Sequence, residues 1–389
     1  MSEQTKVLIV GGGTAGHVLP GVSIGSELVT RGLSRDEVHF VGSERGVESK
    51  LVPEAGFEVT LLPGRGIARR LTTDNVGAVI GLMKAFARSQ SILRSRRPDV
   101  VVALGGYASV PAGLWAVALR VPVVVAEQNA VPGLANRIIG RFARSCAVSY
   151  EGTDLPRAVW TGNPVRPEIL DVANNYVARR AEARARFGID DTESLVVVFG
   201  GSLGARTIND ATIGALDQLA ERHDLVVRHI IGRRDHADIS ARAAGKQRAL
   251  RYEPIEYEDD MASVFAAADL VICRAGATSC AELAVTNTPS VLIPLPGAPG
   301  DHQTANARAL EAVGGAEIIS DANFDSAAMT EVIERLLGSP TDLEAMRTGA
   351  AKAARPDAAG AVVDVVAPHL SSATLKSVPE QVGDRAVES

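Results

Sequence analysis

The sequence predicts an α/β fold built from two doubly wound parallel-sheet halves that face each other across a cleft. Three observations carry that expectation. Apolar runs of strand length alternate with helical segments along the chain, the signature of βαβ units and a parallel sheet. The first run, Val7-Leu8-Ile9-Val10, breaks into Gly11-Gly12-Gly13-Thr14-Ala15-Gly16-His17 ahead of a small-residue helical segment. The pattern then restarts at residues 195–199, which lead into Gly200-Gly201-Ser202-Leu203-Gly204-Ala205-Arg206.

Taken in order, strands are expected at residues 6–10, 37–41, 58–62, 100–104, 121–125 and 147–150 in the first half. In the second they are expected at 195–199, 225–231, 249–252, 270–273, 290–293 and 316–319. The segment 100–119 carries no charge and is long enough to span a bilayer, but Gly105, Gly106 and Pro111 divide it into a strand, a turn and a buried helix. The halves join around Gly162-Asn163-Pro164-Val165-Arg166-Pro167, giving expected domains at 1–164 and 165–368. The polar stretch 369–389 is expected to be a disordered tail.

Composition narrows the function. With 389 residues, each half can bury its own core, and a net charge of −6 gives no global basic field for nucleic acid. Cys146, Cys273 and Cys280 lack metal-site spacing, and the polar segment 1–6 does not read as a signal peptide.

Strand, glycine loop and helix together form an anion site, because free N–H groups and a helix N-terminus converge there. The first loop matches G-x-G-x-x-G, yet the first acid after the second strand is Glu44, too late to hold a dinucleotide ribose. The ligand is thus phosphate-rich without being a nicotinamide cofactor. In the second half, Arg274-Ala275-Gly276-Ala277-Thr278-Ser279 opens a helix that carries Glu282. Amides at residues 277–279 would face a diphosphate, and Glu282 would accept from ribose hydroxyls unless it is an ordinary solvated glutamate. A Pro/Gly-rich loop then reaches Asp301-His302-Gln303 and Asn306, the dense donor–acceptor set that sugar hydroxyls need. In the first half, Gly106, Tyr107 and Ser109 follow one strand, and Glu127, Asn129 and Gly133 follow another. Both loops belong on the cleft rim, although Glu127 and Asn129 also suit simple capping.

These motifs occur in a specific order: Gly-Gly-Thr-x-Gly-His, Gly-Gly-Tyr-x-Ser, Glu-Gln-Asn-Ala-Val-Pro-Gly, Gly-Asn-Pro-Val-Arg, Gly-Gly-Ser-x-Gly-Ala, Asp-Asp-Met, Arg-x-Gly-Ala…Glu and Asp-His-Gln-x-x-Asn. From about Val7 to Ile319 the chain resembles the MurG family, UDP-N-acetylglucosamine:lipid I N-acetylglucosaminyltransferases of peptidoglycan synthesis. The resemblance implies a GT-B fold of two Rossmann-like domains and an inverting, metal-independent transfer to the C4 hydroxyl of MurNAc in lipid I, giving lipid II. It implies no cofactor. It also implies a peripheral position on the cytoplasmic face of the cell membrane, with other cell-wall synthesis proteins as partners.

The same resemblance distributes roles. Arg166, Ser202, Arg274, Ala277, Thr278, Ser279 and Glu282 would hold the UDP moiety, with Tyr257, Glu258 and Met261 walling the uracil. His302, Gln303 and Asn306 would surround the GlcNAc. Gly13, Thr14, Ala15, Gly16, His17, Gly106, Tyr107, Ser109 and Asn129 would bind lipid I. His17, Glu127 and Asn129 would serve catalysis, with His17 the candidate base or, alternatively, a ligand of the acceptor pyrophosphate. Two positions depart from the family pattern: Ala15 replaces a common glycine and Ala126 a common histidine.

The alternatives are a UDP-GlcNAc 2-epimerase and a non-catalytic membrane scaffold. The acceptor-side loops and the dense donor set speak against both. Against the acidic whole, residues 64–97 carry Arg65, Arg69, Arg70, Lys84, Arg88, Arg94, Arg96 and Arg97 beside a single acid, Asp74. Ile80, Met83 and Phe86 can share a helix face flanked by Lys84 and Arg88, a pattern suited to an anionic membrane surface.

Overall fold

A computed structural model of the protein describes residues 5–64, 74–201, 204–371 and 375, with only the backbone at 74–79. Two parallel sheets form the frame. The first comprises β1 (Val7–Gly11), β2 (Val38–Ser43), β3 (Glu58–Leu62), β4 (Val100–Gly105), β5 (Val123–Glu127), β6 (Ser145–Val148) and β7 (Ala158–Trp160). Its order is β3-β2-β1-β4-β5-β6-β7. The second comprises β8 (Ser194–Phe199), β9 (Leu225–Ile230), β10 (Arg251–Ile255), β11 (Leu270–Cys273), β12 (Ser290–Leu292) and β13 (Ala316–Ile318), in the order β10-β9-β8-β11-β12-β13. Both orders reverse direction beside their first strand, between β1 and β4 and between β8 and β11. Those are the switch points at which α/β sheets bind ligands.

Both faces of each sheet are covered, so the strands read as continuous apolar runs rather than alternating ones. Val7 and Ile9 of β1 pack with Val18, Ile24 and Leu28 of the helix Ala15–Thr30, while Leu8 and Val10 pack with Ala85, Leu93 and Ala112 on the opposite face. In the second half, Val197 and Val271 face one layer, and Val198 and Ile272 the other.

The strand expectations hold with small shifts: β6 begins two residues earlier than expected, and β5 and β10 two residues later. Sequence reading missed β7, a three-residue exposed edge strand too short to show periodicity. After the second sheet the chain returns to the first. The helix Ala358–Val366 places Val362, Val363 and Val366 in the first half's core, and Asp364 pairs with Arg31. The expected tail falls mostly outside the described residues, as do Arg65, Arg69, Arg70 and Ser202.

Candidate functional site

The carboxyl ends of β1, β4, β5 and β11, with the loop after β12, meet where the halves touch. Gly16 lies opposite Thr278, with a Cβ position only 3.9 Å from the Thr278 hydroxyl. Gly300 lies likewise against Val131 at 3.1 Å. Asn306, fully buried in the middle of the helix His302–Glu311, clasps the halves together. Its Oδ1 accepts from the Ala130 N–H at 2.9 Å, and its Nδ2 donates to Asn129 Oδ1 and the Ala275 carbonyl, both at 3.2 Å.

The glycine loop takes its shape from a residue that sequence reading overlooked. Glu48, buried on the short helix Glu48–Glu54, accepts from the Gly13 N–H at 2.9 Å and the Ser43 N–H at 2.7 Å. A Cβ on Gly12 would lie 2.5 Å from this carboxylate. Gly12 has φ +135, so both space and backbone demand glycine there. Gly106 interlocks with the same loop, since its Cβ position is 2.2 Å from the Gly12 carbonyl oxygen. The available signal was glycine spacing around an acid: Gly42 and Gly46 also crowd Glu48.

His17 stands at the mouth of the loop, half-buried, with Nδ1 3.1 Å from the Thr14 hydroxyl and Nε2 beside Gly105. Burial lowers its pKa below the ordinary imidazole value, against the upward pull of Glu127 and Glu48 and with a further downward push from His302. The ring is therefore neutral at pH 7 and free to take a proton. Gly13 and Thr14 are exposed, and Ala15 and Gly16 half-buried, along the same rim.

Several first-half candidates hold structure rather than face the cleft. Ser109 is fully buried, donates to the Val10 or Gly105 carbonyl at 2.8 Å and accepts from the Gly105 N–H. The hydroxyl staples β1 to β4. The buried carboxylate of Glu127 accepts from Asn129 N–H, Asn129 Nδ2, Gly133 N–H and Asn136 Nδ2, and so orders the loop that follows β5. Asn129 is held between Glu127 and Asn306, and the Tyr107 hydroxyl donates to the Pro63 carbonyl at 3.0 Å.

In the second half, the helix Ala277–Val285 starts without a side-chain cap, Thr278 and Ser279 are half-buried, and the Thr278 hydroxyl is buried without a partner. One turn in, Glu282 Oε1 accepts from Arg166 Nε at 2.9 Å. Burial raises the Glu282 pKa, and Arg166 opposes the rise. Arg274 is engaged within the protein. Its guanidinium donates to the Ile293 and Pro294 carbonyls and pairs with Asp321 at 2.5 Å, anchoring the loop that enters the sugar region. Gln303 accepts from the Leu295 N–H and His302 Nδ1 meets the Pro299 carbonyl, so both side chains brace that loop. Tyr257 is exposed beneath Arg233, the Glu258 carboxylate pairs with Arg228, and Met261 opens the next helix.

Two strand–glycine-loop–helix units on separate Rossmann-like sheets, facing each other with an imidazole between them, fit a nucleotide-sugar transferase of the two-domain type. Residues 7–148 match the glycosyltransferase family 28 N-terminal domain and residues 195–362 its C-terminal domain. The chain belongs to that family. It is 39% identical to the UDP-N-acetylglucosamine--N-acetylmuramyl-(pentapeptide) pyrophosphoryl-undecaprenol N-acetylglucosamine transferase of Myxococcus xanthus, over 92% of each chain. It is 40% identical to the enzyme of that name from Acidothermus cellulolyticus, over 92% of this chain and 96% of the relative. Among solved structures, MurG of Acinetobacter baumannii superposes with a TM-score of 0.72 at 28% identity, covering 94% of this chain and 99% of that one. A UDP-GlcNAc 2-epimerase from Neisseria meningitidis, bound to UDP-GlcNAc, superposes at 0.64 with 14% identity over 94% of this chain and all of that one, a likeness of fold alone.

Proposed function

We propose that the protein transfers N-acetylglucosamine from UDP-N-acetylglucosamine to the C4 hydroxyl of the N-acetylmuramyl unit of lipid I, with inversion, yielding lipid II. The observation that carries this reading is His17, a neutral imidazole between the glycine loop of one half and the uncapped helix start of the other. In this mechanism residues 1–164 take the acceptor and residues 165–368 the donor. His17 removes the acceptor proton as the new bond to C1 forms. The Ala277–Ser279 amides and Arg166 meet the charge that develops on departing UDP. Glu282, turning from Arg166, holds the ribose. The test is a purified-protein assay with UDP-N-acetylglucosamine and a short-chain lipid I analogue. A β-(1→4) disaccharide product with UDP release is expected, and epimerisation of the donor alone would overturn the reading. Among the described residues no group of three or more His, Cys, Asp or Glu converges as a metal site. EDTA should therefore leave turnover intact; loss restored by Mg²⁺ would refute metal independence.

The acceptor's lipid anchor requires a membrane face, which we assign to the helix Asp74–Arg96 on the cytoplasmic leaflet. Ile80 and Met83 are exposed there beside Lys84 and Arg88, with Phe86 half-buried. Arg96 is not part of it, because its guanidinium bonds Thr5 and Glu58. Among the described residues no helix is long and apolar enough to cross a membrane, so attachment through this helix is peripheral.

A further inference from the structure

Against the helix Ala277–Val285 lies a cavity of about 270 Å³. Cys280, Ala281, Ala284 and Val285 line it, whereas Thr278 and Glu282 do not. Its other walls come from both halves: Tyr150, Trp160 and Asn163 from the first half and the linker, Leu310 and Arg355 from the second. Both chain crossings between the halves pass it. Gly162 of the outgoing crossing packs so closely on Arg355 of the returning one that a Cβ there would lie 2.5 Å from the Arg355 Cβ. The cavity therefore sits at the hinge.

Its chemistry is specific. The lining is mainly apolar, but both amide atoms of Asn163 are buried without a hydrogen-bond partner, which is uncommon for a buried side chain. At the rim stand Lys352 and Arg355. Neither pairs with a carboxylate among the described residues, and the Arg355 guanidinium stacks 3.9 Å above the Trp160 ring. Glu151 is the one carboxylate in the lining, so two cations that it does not pair outnumber it, and with an apolar chamber and an unpaired amide they match one class of ligand.

We propose that this hinge cavity binds a small amphiphilic anion, an apolar body carrying a carboxylate, and that the bound anion changes how far the halves open. The volume, near the ~300 Å³ lower end of ligand pockets, admits a short-chain acid and excludes a nucleotide sugar. The apolar body lies along Ala284 and Leu310, and the carboxylate meets Arg355 and Lys352. Asn306 both lines the cavity and clasps Asn129 and Ala130, so occupancy reaches the cleft directly.

The chain has two tryptophans, Trp115 and Trp160, so in a Trp115→Phe background fluorescence reports on Trp160 alone. Octanoate is the probe and 1-octanol its uncharged control. A saturable fluorescence change with octanoate is expected, weakened about tenfold in Arg355→Gln or Lys352→Gln by loss of a charge-assisted contact. It should vanish in Ala284→Phe, which fills the chamber. The two rim variants test the site independently should the filled variant fail to fold. No saturable change, equal binding of 1-octanol, or full binding by both rim variants would overturn the proposal. The regulatory half rests on the donor reading above: octanoate and UDP should shift each other's affinity by the same factor, as linkage requires. Octanoate binding without any such shift would overturn that half alone, and octanoate binding without transferase activity would count against the donor reading only.

Discussion

The two halves use the same strand–loop–helix unit, and they treat its anion site in opposite ways. After β1, the Gly13 N–H is already engaged by the carboxylate of Glu48, a built-in anion from the same half. After β11, the helix Ala277–Val285 begins with no side-chain cap and an unpartnered Thr278 hydroxyl. The first loop is thus tied down beside His17, and the second helix start is left without a side-chain cap. A glycine-rich loop is not by itself a phosphate site; what its amides already hold decides.

The largest effect that would sharpen this contrast is at His17. His17→Ala should lower kcat by about 10²–10⁴-fold with UDP affinity unchanged. Because the folded pKa is depressed, the neutral base persists below pH 6.5. The acid limb of the wild-type rate profile should therefore lie below the ordinary imidazole value, and it should disappear in the variant. A limb at or above pH 6.5, or one that survives the substitution, would break the assignment.

Next come the two carboxylates. Glu282→Ala should raise the donor KM about tenfold or more, from loss of charge-assisted bonds worth ~1.5–3 kcal/mol. Glu48→Gln should lower thermal stability and raise the acceptor KM, by a comparable ~1.5–3 kcal/mol in total, without touching donor affinity. If Glu48→Gln instead weakened UDP binding, the separation of roles between the loops would fail. The smallest effect per charge altered is on the membrane face. Charge reversal at Arg69, Lys84 and Arg88 should release the protein from anionic vesicles, at ~1 kcal/mol per charge, while sparing turnover of a soluble acceptor analogue. Sedimentation of the triple variant with such vesicles at moderate salt would move that face elsewhere.

The sheets were legible because strands buried on both faces appear as unbroken Val, Ile and Leu runs, and glycines mark the loops at their ends. The cleft loops were legible for the same reason. The direction of individual side chains was not. Ser109 opens a helix and Glu127 ends β5, each beside a loop of the right kind, yet close packing turns them inward to satisfy backbone groups. Arg274, expected on the donor, pairs with Asp321, 47 positions further along. Such commitments depend on partners distant in sequence, which periodicity does not report. The role of Glu48 was hidden in the same way, although three glycines crowd round it.

The return of the helix Ala358–Val366 to the first sheet has a consequence for how the molecule is made. Its Val362, Val363 and Val366 complete the core beside Val18, Ile24 and Leu28. During synthesis the first half leaves the ribosome long before this helix does, and domains generally fold in the order they emerge. One flank of the first sheet must therefore wait, apolar and uncovered, while the whole second half is translated. The nascent protein carries its aggregation hazard on the part that was born first.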